Sequence, residues 1–251
     1  MLDNTQQDIL TGLMLGDGHL EIHSHGKNAC LKIQRKSTDR KYLFYTASIF
    51  EELLTTKPID ERKVFDKRTN KFYYATVMRT KCDPLLTEYH NKWYVDKVKT
   101  IPNNLELNPF SLAIWFCDDG CVTRISAHSL ECKFSTDGFT KDETYFLRDK
   151  LDNYFNCKNF RVYQNGNGYQ IRCFGYYSKL VFREIDGVFP DSMSRKSSVW
   201  RLPEYKTFED KPIYTCKFCL GNNLYRNGSS EGTQKLLCKD CRKQFRLKIA
   251  S

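Results

Sequence analysis

The sequence predicts an α+β fold built from two similar halves and a small C-terminal tail. Three observations predict it. An apolar run ending in an acidic residue and a glycine occurs twice, as Leu10-Thr11-Gly12-Leu13-Met14-Leu15-Gly16-Asp17-Gly18 and as Leu112-Ala113-Ile114-Trp115-Phe116-Cys117-Asp118-Asp119-Gly120. The same order of elements follows each copy. Beyond both copies, four cysteines stand as two Cys-x-x-Cys pairs. The expected units are residues 1–104, 105–205 and 206–251.

The first run suits a helix from about Thr5 to Leu15, with Ile9, Leu10, Leu13 and Met14 as its apolar stripe. Gly12 and Gly16 lie one turn apart and permit close approach of another helix. Gly18 suits the left-handed position just past a helix C-terminus. Cys30 to Lys36 alternates, which puts Lys32, Gln34 and Lys36 on one strand face. Asp39 to Leu54 reads as an amphipathic helix with Leu43, Ala47, Phe50 and Leu54 on its core side. Residues 64–67 and 72–77 flank the turn-like Arg68-Thr69-Asn70 and predict a hairpin. Asp83-Pro84 starts a short helix by cap and first-turn proline. The half closes at Lys97 to Pro102.

The second half repeats that order. Asn108-Pro109 opens the second motif helix, and Glu131 to Thr136 alternates as a strand. Thr140-Lys141-Asp142-Glu143 is a capping box for a helix carrying Phe146, Leu147, Leu151 and Phe155. Asn159 to Asn165 and Tyr169 to Phe174 predict a hairpin around Gly166-Asn167-Gly168, with Arg161, Tyr163, Asn165, Gln170 and Arg172 on its faces. A helix from about Tyr176 to Ile185 and the stretch Met193-Ser194-Arg195-Lys196 end the half. Asp17 and Asp119 are 102 positions apart, and Lys99 and Lys196 are 97 apart. A duplication accounts for both spacings.

An aspartate is a poor choice at a helix C-terminus, which already carries partial negative charge and unpaired carbonyls. A divalent cation reverses that sign, because carboxylate and carbonyl oxygens are the ligands of hard metals. In the tail, Cys216, Cys219, Cys238 and Cys241 form two pairs with 18 residues between them, which fits a closed four-thiolate zinc site. A tail this short needs the metal to fold. From Lys211 to Ser251 nine Lys or Arg face two acids, so the tail carries +7 of the net +10. Glu204 to Pro212 reads as a linker.

The net charge and a pI near 9.0 point to a polyanionic partner. Apolar content of 40% supports real cores rather than disorder. The N-terminus has no basic region followed by an apolar stretch, so no signal peptide is expected, and no apolar run approaches spanning length. The seven other cysteines are read as buried free thiols in a reducing intracellular compartment.

At the two motifs the sequence resembles the LAGLIDADG homing endonucleases of the single-chain, two-motif type. The first copy keeps the leucine, the glycine and the final Asp-Gly, with Leu15 where the family name has its earlier aspartate. The second copy follows the variant ending in Asp-Asp-Gly. The tail resembles the zinc ribbons of transposases and other DNA-acting proteins. The resemblance implies two β-sheets forming a DNA-binding saddle, with the motif helices packed between them. It makes Asp17 and Asp119 ligands of magnesium, two or more divalent ions in all, helped by the carbonyls of Gly16 and Asp118. The Asp118 side chain is expected to be exposed. The resemblance also assigns Lys99 and Lys196 as basic residues supporting the site, and Gln34 as a residue ordering water beside the metal. Base and backbone contacts are expected from Lys32, Gln34, Lys36, Arg161, Asn165, Gln170 and Arg172 on the sheets, and from Arg242, Lys243 and Arg246 in the tail.

Three function classes follow. The first is a site-specific endonuclease, intron-encoded or free-standing, that makes a metal-dependent double-strand break in a long asymmetric DNA target as a monomer. The second is a maturase that binds host intron RNA on the same scaffold. The third, a non-cutting DNA-binding regulator, has no use for two metal-binding aspartates. An intein is disfavoured, because the chain starts at Met1 and ends Lys-Ile-Ala-Ser. Target, host and organellar, bacterial or phage origin are not encoded in any feature of the sequence.

Overall fold

The computed structural model describes residues 1–67, 69–126, 129–202, 214–219, 221, 224–230 and 232–248. The expected linker 204–212 and Arg68 of the expected turn lie outside these residues. The first half runs α1 (Asn4–Leu15), β1 (His19–Ile22), β2 (Ala29–Lys36), α2 (Arg40–Ile49), β3 (Leu54–Asp66), β4 (Lys71–Thr80), α3 (Pro84–Trp93), β5 (Tyr94–Val95) and β6 (Val98–Lys99). The second runs α4 (Pro109–Asp119), β7 (Gly120–Ser126), β8 (Ser129–Ser135), α5 (Lys141–Tyr154), β9 (Arg161–Asn165), β10 (Gly168–Phe174), α6 (Tyr176–Asp186) and α7 (Ser194–Ser197). Their four-stranded antiparallel sheets have matching orders, β1-β2-β4-β3 and β7-β8-β10-β9. The tail adds β11 (Leu224–Ser230), β12 (Thr233–Cys238) and β13 (Gln244–Lys248) as a three-stranded sheet.

The caps expected at Asp83, Asn108 and Thr140 are present, and Asp3, not among those expected, caps α1. Asp3 accepts from the Gln6 N–H, Asp83 from that of Leu85, Asn108 from that of Ser111 and Thr140 from that of Glu143. One expected helix is shorter: α2 stops at Ile49, and the chain then enters β3, which is much longer than the strand expected over 64–67. The run Leu54-Thr55-Thr56 favours extended backbone, and a register shift between Leu54 and Ile59 accommodates Pro58, which has no N–H to donate. β1 and β7, which leave the motif glycines directly, are too short or too polar to show in the pattern.

The motif helices α1 and α4 pack on each other at the centre. A Cβ on Gly12 would lie 2.7 Å from the Ile114 Cβ, and one on Gly16 would lie 2.3 Å from the Asp118 Cβ. The close approach expected of these glycines is therefore present. The conformation expected of the glycine after each aspartate is not. Gly120 is extended at φ −80°, ψ 151°, and neither it nor Gly18 has positive φ. Space makes glycine necessary there, since a Cβ would fall 2.7 Å from the Leu13 carbonyl oxygen at Gly18 and 2.3 Å from the Phe116 ring at Gly120. Around this contact Leu10, Leu13, Met14, Trp115 and Phe116 form one continuous core with Ile33, Tyr42, Phe134 and Ile171 of the sheets and α2.

Candidate active site

Each motif helix ends by delivering an aspartate to the junction of the halves. Asp17 follows α1 and is exposed, with its backbone N–H donating to Asp118 Oδ2 at 3.0 Å. Asp119 is the last residue of α4 and half-buried. Its carboxyl is pushed up to about 7, first by burial and then by Asp17 and Asp118. The two halves therefore concentrate negative charge at one place.

The two lysines meet it there. The β5–β6 hairpin, with Asp96 and Lys97 in the left-handed region, turns Lys99 inward. Its Nζ donates to the carbonyls of Gly16 at 3.1 Å and Gly18 at 2.9 Å. From α7, Lys196 Nζ donates to the carbonyls of Phe116 at 3.2 Å, Asp118 at 3.1 Å and Gly120 at 2.8 Å. Both ammonium groups thus satisfy carbonyls left open at a helix C-terminus. Burial lowers the Lys99 ammonium to about 8 against the opposing pull of Asp119, Asp118 and Asp17, and burial also lowers Lys196.

Asp118 departs from expectation. Its side chain is wholly buried, not exposed. Oδ1 accepts from Arg35 Nη2 at 2.5 Å and from the Tyr42 hydroxyl at 3.0 Å. Burial, rather than any partner, is the largest influence on its carboxyl, which is pushed up to about 6. Arg35 also reaches Asp17 Oδ2 at 3.1 Å and the Cys117 carbonyl at 3.0 Å. Its other terminal nitrogen lies 3.7 Å from Asp39, which is held bidentately by Arg195 at 3.1 and 2.6 Å.

Arg35 was absent from the expected site, yet its signal was present in the alternation. It falls in phase with Leu31 and Ile33 on the buried face of β2. A charged residue at an apolar phase demands a buried partner. Gln34 points the other way, exposed on the sheet face, and among the described residues no hydrogen bond ties it to either aspartate. Register places Thr136 of the second half where Arg35 stands in the first, and its hydroxyl donates to the Tyr169 carbonyl within its own sheet.

The expected contact residues share the same face within each sheet. Lys32, Gln34 and Lys36 lie opposite Arg79, Val77 and Ala75. Arg161 pairs with Arg172, Tyr163 with Gln170 and Asn165 with Gly168. Gln34, Lys36, Arg161 and Asn165 are exposed. Lys32 lies 3.5 Å from Glu21, Arg172 is held by Glu131 at 3.1 Å, and Gln170 is largely covered. In the tail Arg242 and Arg246 are exposed, while the Lys243 ammonium rests over the Phe218 ring at 5.0 Å.

The donor sets fit the metals proposed for them. Asp17 and Asp119 beside backbone carbonyls suit a hard divalent cation, and the Asp119 carboxyl is raised by burial and then by Asp17 and Asp118. The four tail sulfurs lie within 4.8 Å of one another, with Cys216–Cys241 at 3.6 Å and Cys219–Cys238 at 3.5 Å. Tetrahedral zinc with thiolate bonds of about 2.3 Å needs edges of about 3.8 Å. Turns closed by Cys216 N–H to the Gly221 carbonyl and Cys238 N–H to the Lys243 carbonyl hold both pairs in place. No helix among the described residues is long and apolar enough to cross a membrane.

Residues 7–179 match a family profile described as the LAGLIDADG DNA endonuclease family. The chain is 28% identical over 197 residues to the DNA endonuclease I-ChuI of Chlamydomonas applanata, covering 73% of this chain and 89% of that one. It is 29% identical over 162 residues to the cytochrome b mRNA maturase bI2 of Saccharomyces cerevisiae, covering 60% of this chain but only 37% of the maturase. Among solved structures, the homing endonuclease I-WcaI bound to its DNA recognition sequence has the same fold, with a TM-score of 0.71 at 20% identity over 78% of this chain and 87% of that one.

Proposed function

The chain belongs to the LAGLIDADG DNA endonuclease family, and on that premise we propose that it is a site-specific endonuclease cutting both strands of a long, asymmetric DNA target. The observation that carries this reading is the convergence of Asp17 and Asp119 from two motif helices, with one half-buried lysine beside each. A pure DNA binder gains nothing from that concentration of charge.

Asp17 and Asp119 would hold magnesium, with the carbonyls of Gly16 and Asp118 close by. Bound there, the metal supplies charge relief on the scissile phosphate and leaving oxygen, and a water of lowered pKa. Arg35 fixes the second helix end through Asp118, so that Asp119 keeps its place when DNA binds. Lys99 and Lys196 keep the helix-end carbonyls occupied and bring positive charge to the phosphates. The sheet faces carry Lys32, Gln34, Lys36, Arg161, Asn165, Gln170 and Arg172 toward the major groove, where arginine and amide side chains discriminate bases. Two non-identical faces require a non-palindromic site. The zinc-held tail extends the contact with Arg242, Lys243 and Arg246, mostly to the backbone.

The likeness to a maturase favours a second reading, binding of a host intron RNA on the same scaffold. The sequence flanking the reading frame decides between them. Incubating that flank, joined as an intronless allele, with protein and magnesium should give a double-strand break that chelator prevents. Stimulated splicing of the flanking intron without any break would favour the maturase.

A further inference from the structure

A second cluster of soft ligands lies outside the active site. His23 follows β1, Cys30 lies on β2, and Cys82 lies between β4 and α3. Their ligand atoms all fall within 4.8 Å of one another, with His23 Nε2 at 3.9 Å from Cys30 Sγ. We propose that these three residues form a second thiophilic metal site, taking one zinc-class ion and leaving a fourth position to water or an outside ligand.

The geometry needs little change to do so. A tetrahedral ion with thiolate bonds of about 2.3 Å and an imidazole bond of about 2.0 Å has ligand edges of about 3.5–3.8 Å. The ring is also arranged as a metal-binding imidazole is. Nε2 faces the sulfurs, while Nδ1 lies 3.7 Å from Glu21 Oε1, the carboxylate that would accept its proton and set the tautomer. A disulfide between the two cysteines would leave that imidazole and carboxylate without a role. Cys30 is fully buried, but His23 and Cys82 are exposed, so an ion can enter from solvent. Binding replaces one proton on each thiol, and both leave to solvent.

The site would act on the sheet face. Glu21 and Cys30 are cross-strand partners, one residue pair removed from the partners Leu20 and Leu31 and two from His19 and Lys32. Glu21 Oε2 sits 3.5 Å from both Lys32 and Arg79, and accepts no hydrogen bond from either. An ion that fixes His23 would fix Glu21 and with it these two cations. It would also tie the β1–β2 turn to the segment entering α3.

Metal content of the reduced, full-length protein tests this by equilibrium dialysis at micromolar free zinc. We expect about two equivalents in the parent chain, about one after Cys82→Ser, about one after Cys238→Ser, and none bound through sulfur in the double variant. His23→Gln should weaken the new site at least about tenfold. With cobalt, the thiolate charge-transfer absorption should fall in step, which separates these sites from any carboxylate-bound ion. One equivalent in the parent chain that Cys238→Ser alone abolishes would overturn the proposal. So would a Cys30–Cys82 disulfide persisting under the same reducing conditions.

Discussion

Arg35 of the first half and Asp118 of the second are joined by a 2.5 Å hydrogen bond across the junction of the motif helices, and both side chains are removed from water. Removing one partner strands a charge in the interior. Arg35→Met should therefore cost about 3–5 kcal/mol of stability in denaturant unfolding, and Asp118→Asn less, since the amide still accepts from Arg35 and Tyr42. Equal and small losses for both would show that the pair is neutralised by solvent after all.

Stability should depend on pH through the same junction. In metal-free protein the Asp119 carboxyl titrates near 7, well above its ordinary value. The native state then holds a proton that the unfolded chain has lost, so stability falls as pH rises between about 4 and 7. Lys99, lowered to about 8, works in the other direction and returns stability above about pH 8. Urea midpoints at about pH 5 and pH 7 should differ less in Asp119→Asn than in the parent chain. Magnesium should raise the parent's midpoint more at the higher pH.

Asp17→Asn and Asp119→Asn should each abolish or cripple double-strand cleavage. The amide is nearly isosteric but brings no charge, so cation occupancy falls while the sheet faces remain. Specific binding in a gel shift should survive or tighten. Near-normal cutting by both variants would sink the metal-ligand assignment.

Lys99→Ala and Lys196→Ala should slow cleavage more than they weaken binding. Each also leaves helix-end carbonyls without a donor, a cost of about 1–3 kcal/mol. A change confined to affinity, of the size of one lost phosphate contact, would make the lysine a backbone anchor instead.

Cys238→Ser should release the tail's zinc, and deletion of the tail should lower DNA affinity with a flatter salt dependence. Cleavage of already bound DNA should change little. An unchanged salt slope would show that the tail's +7 charge lies away from DNA.

Much of this was legible in the chain because repeats and caps are local. The motif helices, the four side-chain helix caps and the Gly166-Asn167 hairpin are each specified within a few residues. The matching places of Lys99 and Lys196 late in each half were legible from spacing, while their role at the site came from the family resemblance. What could not be read is tertiary. The inward side chain of Asp118 depends on Arg35 and Tyr42, more than seventy positions away. The conformation of the motif glycines was misjudged for the same reason. Their role is set by what packs against them rather than by the turn they make.

The helix contact itself says something about ancestry and engineering. Gly12 faces Ile114 and Gly16 faces Asp118, and in both cases the two residues occupy equivalent positions of the duplicated motif. The first half offers two hollows and the second offers two bulks to fill them. Two copies of the first half would meet glycine to glycine, leaving voids and no counterpart of Asp118 for Arg35. Two copies of the second would set Ile114 against Ile114 and one buried carboxylate against another, with no arginine between them. The two helices fit each other as hand and glove, so new specificities made by shuffling halves should keep one of each kind.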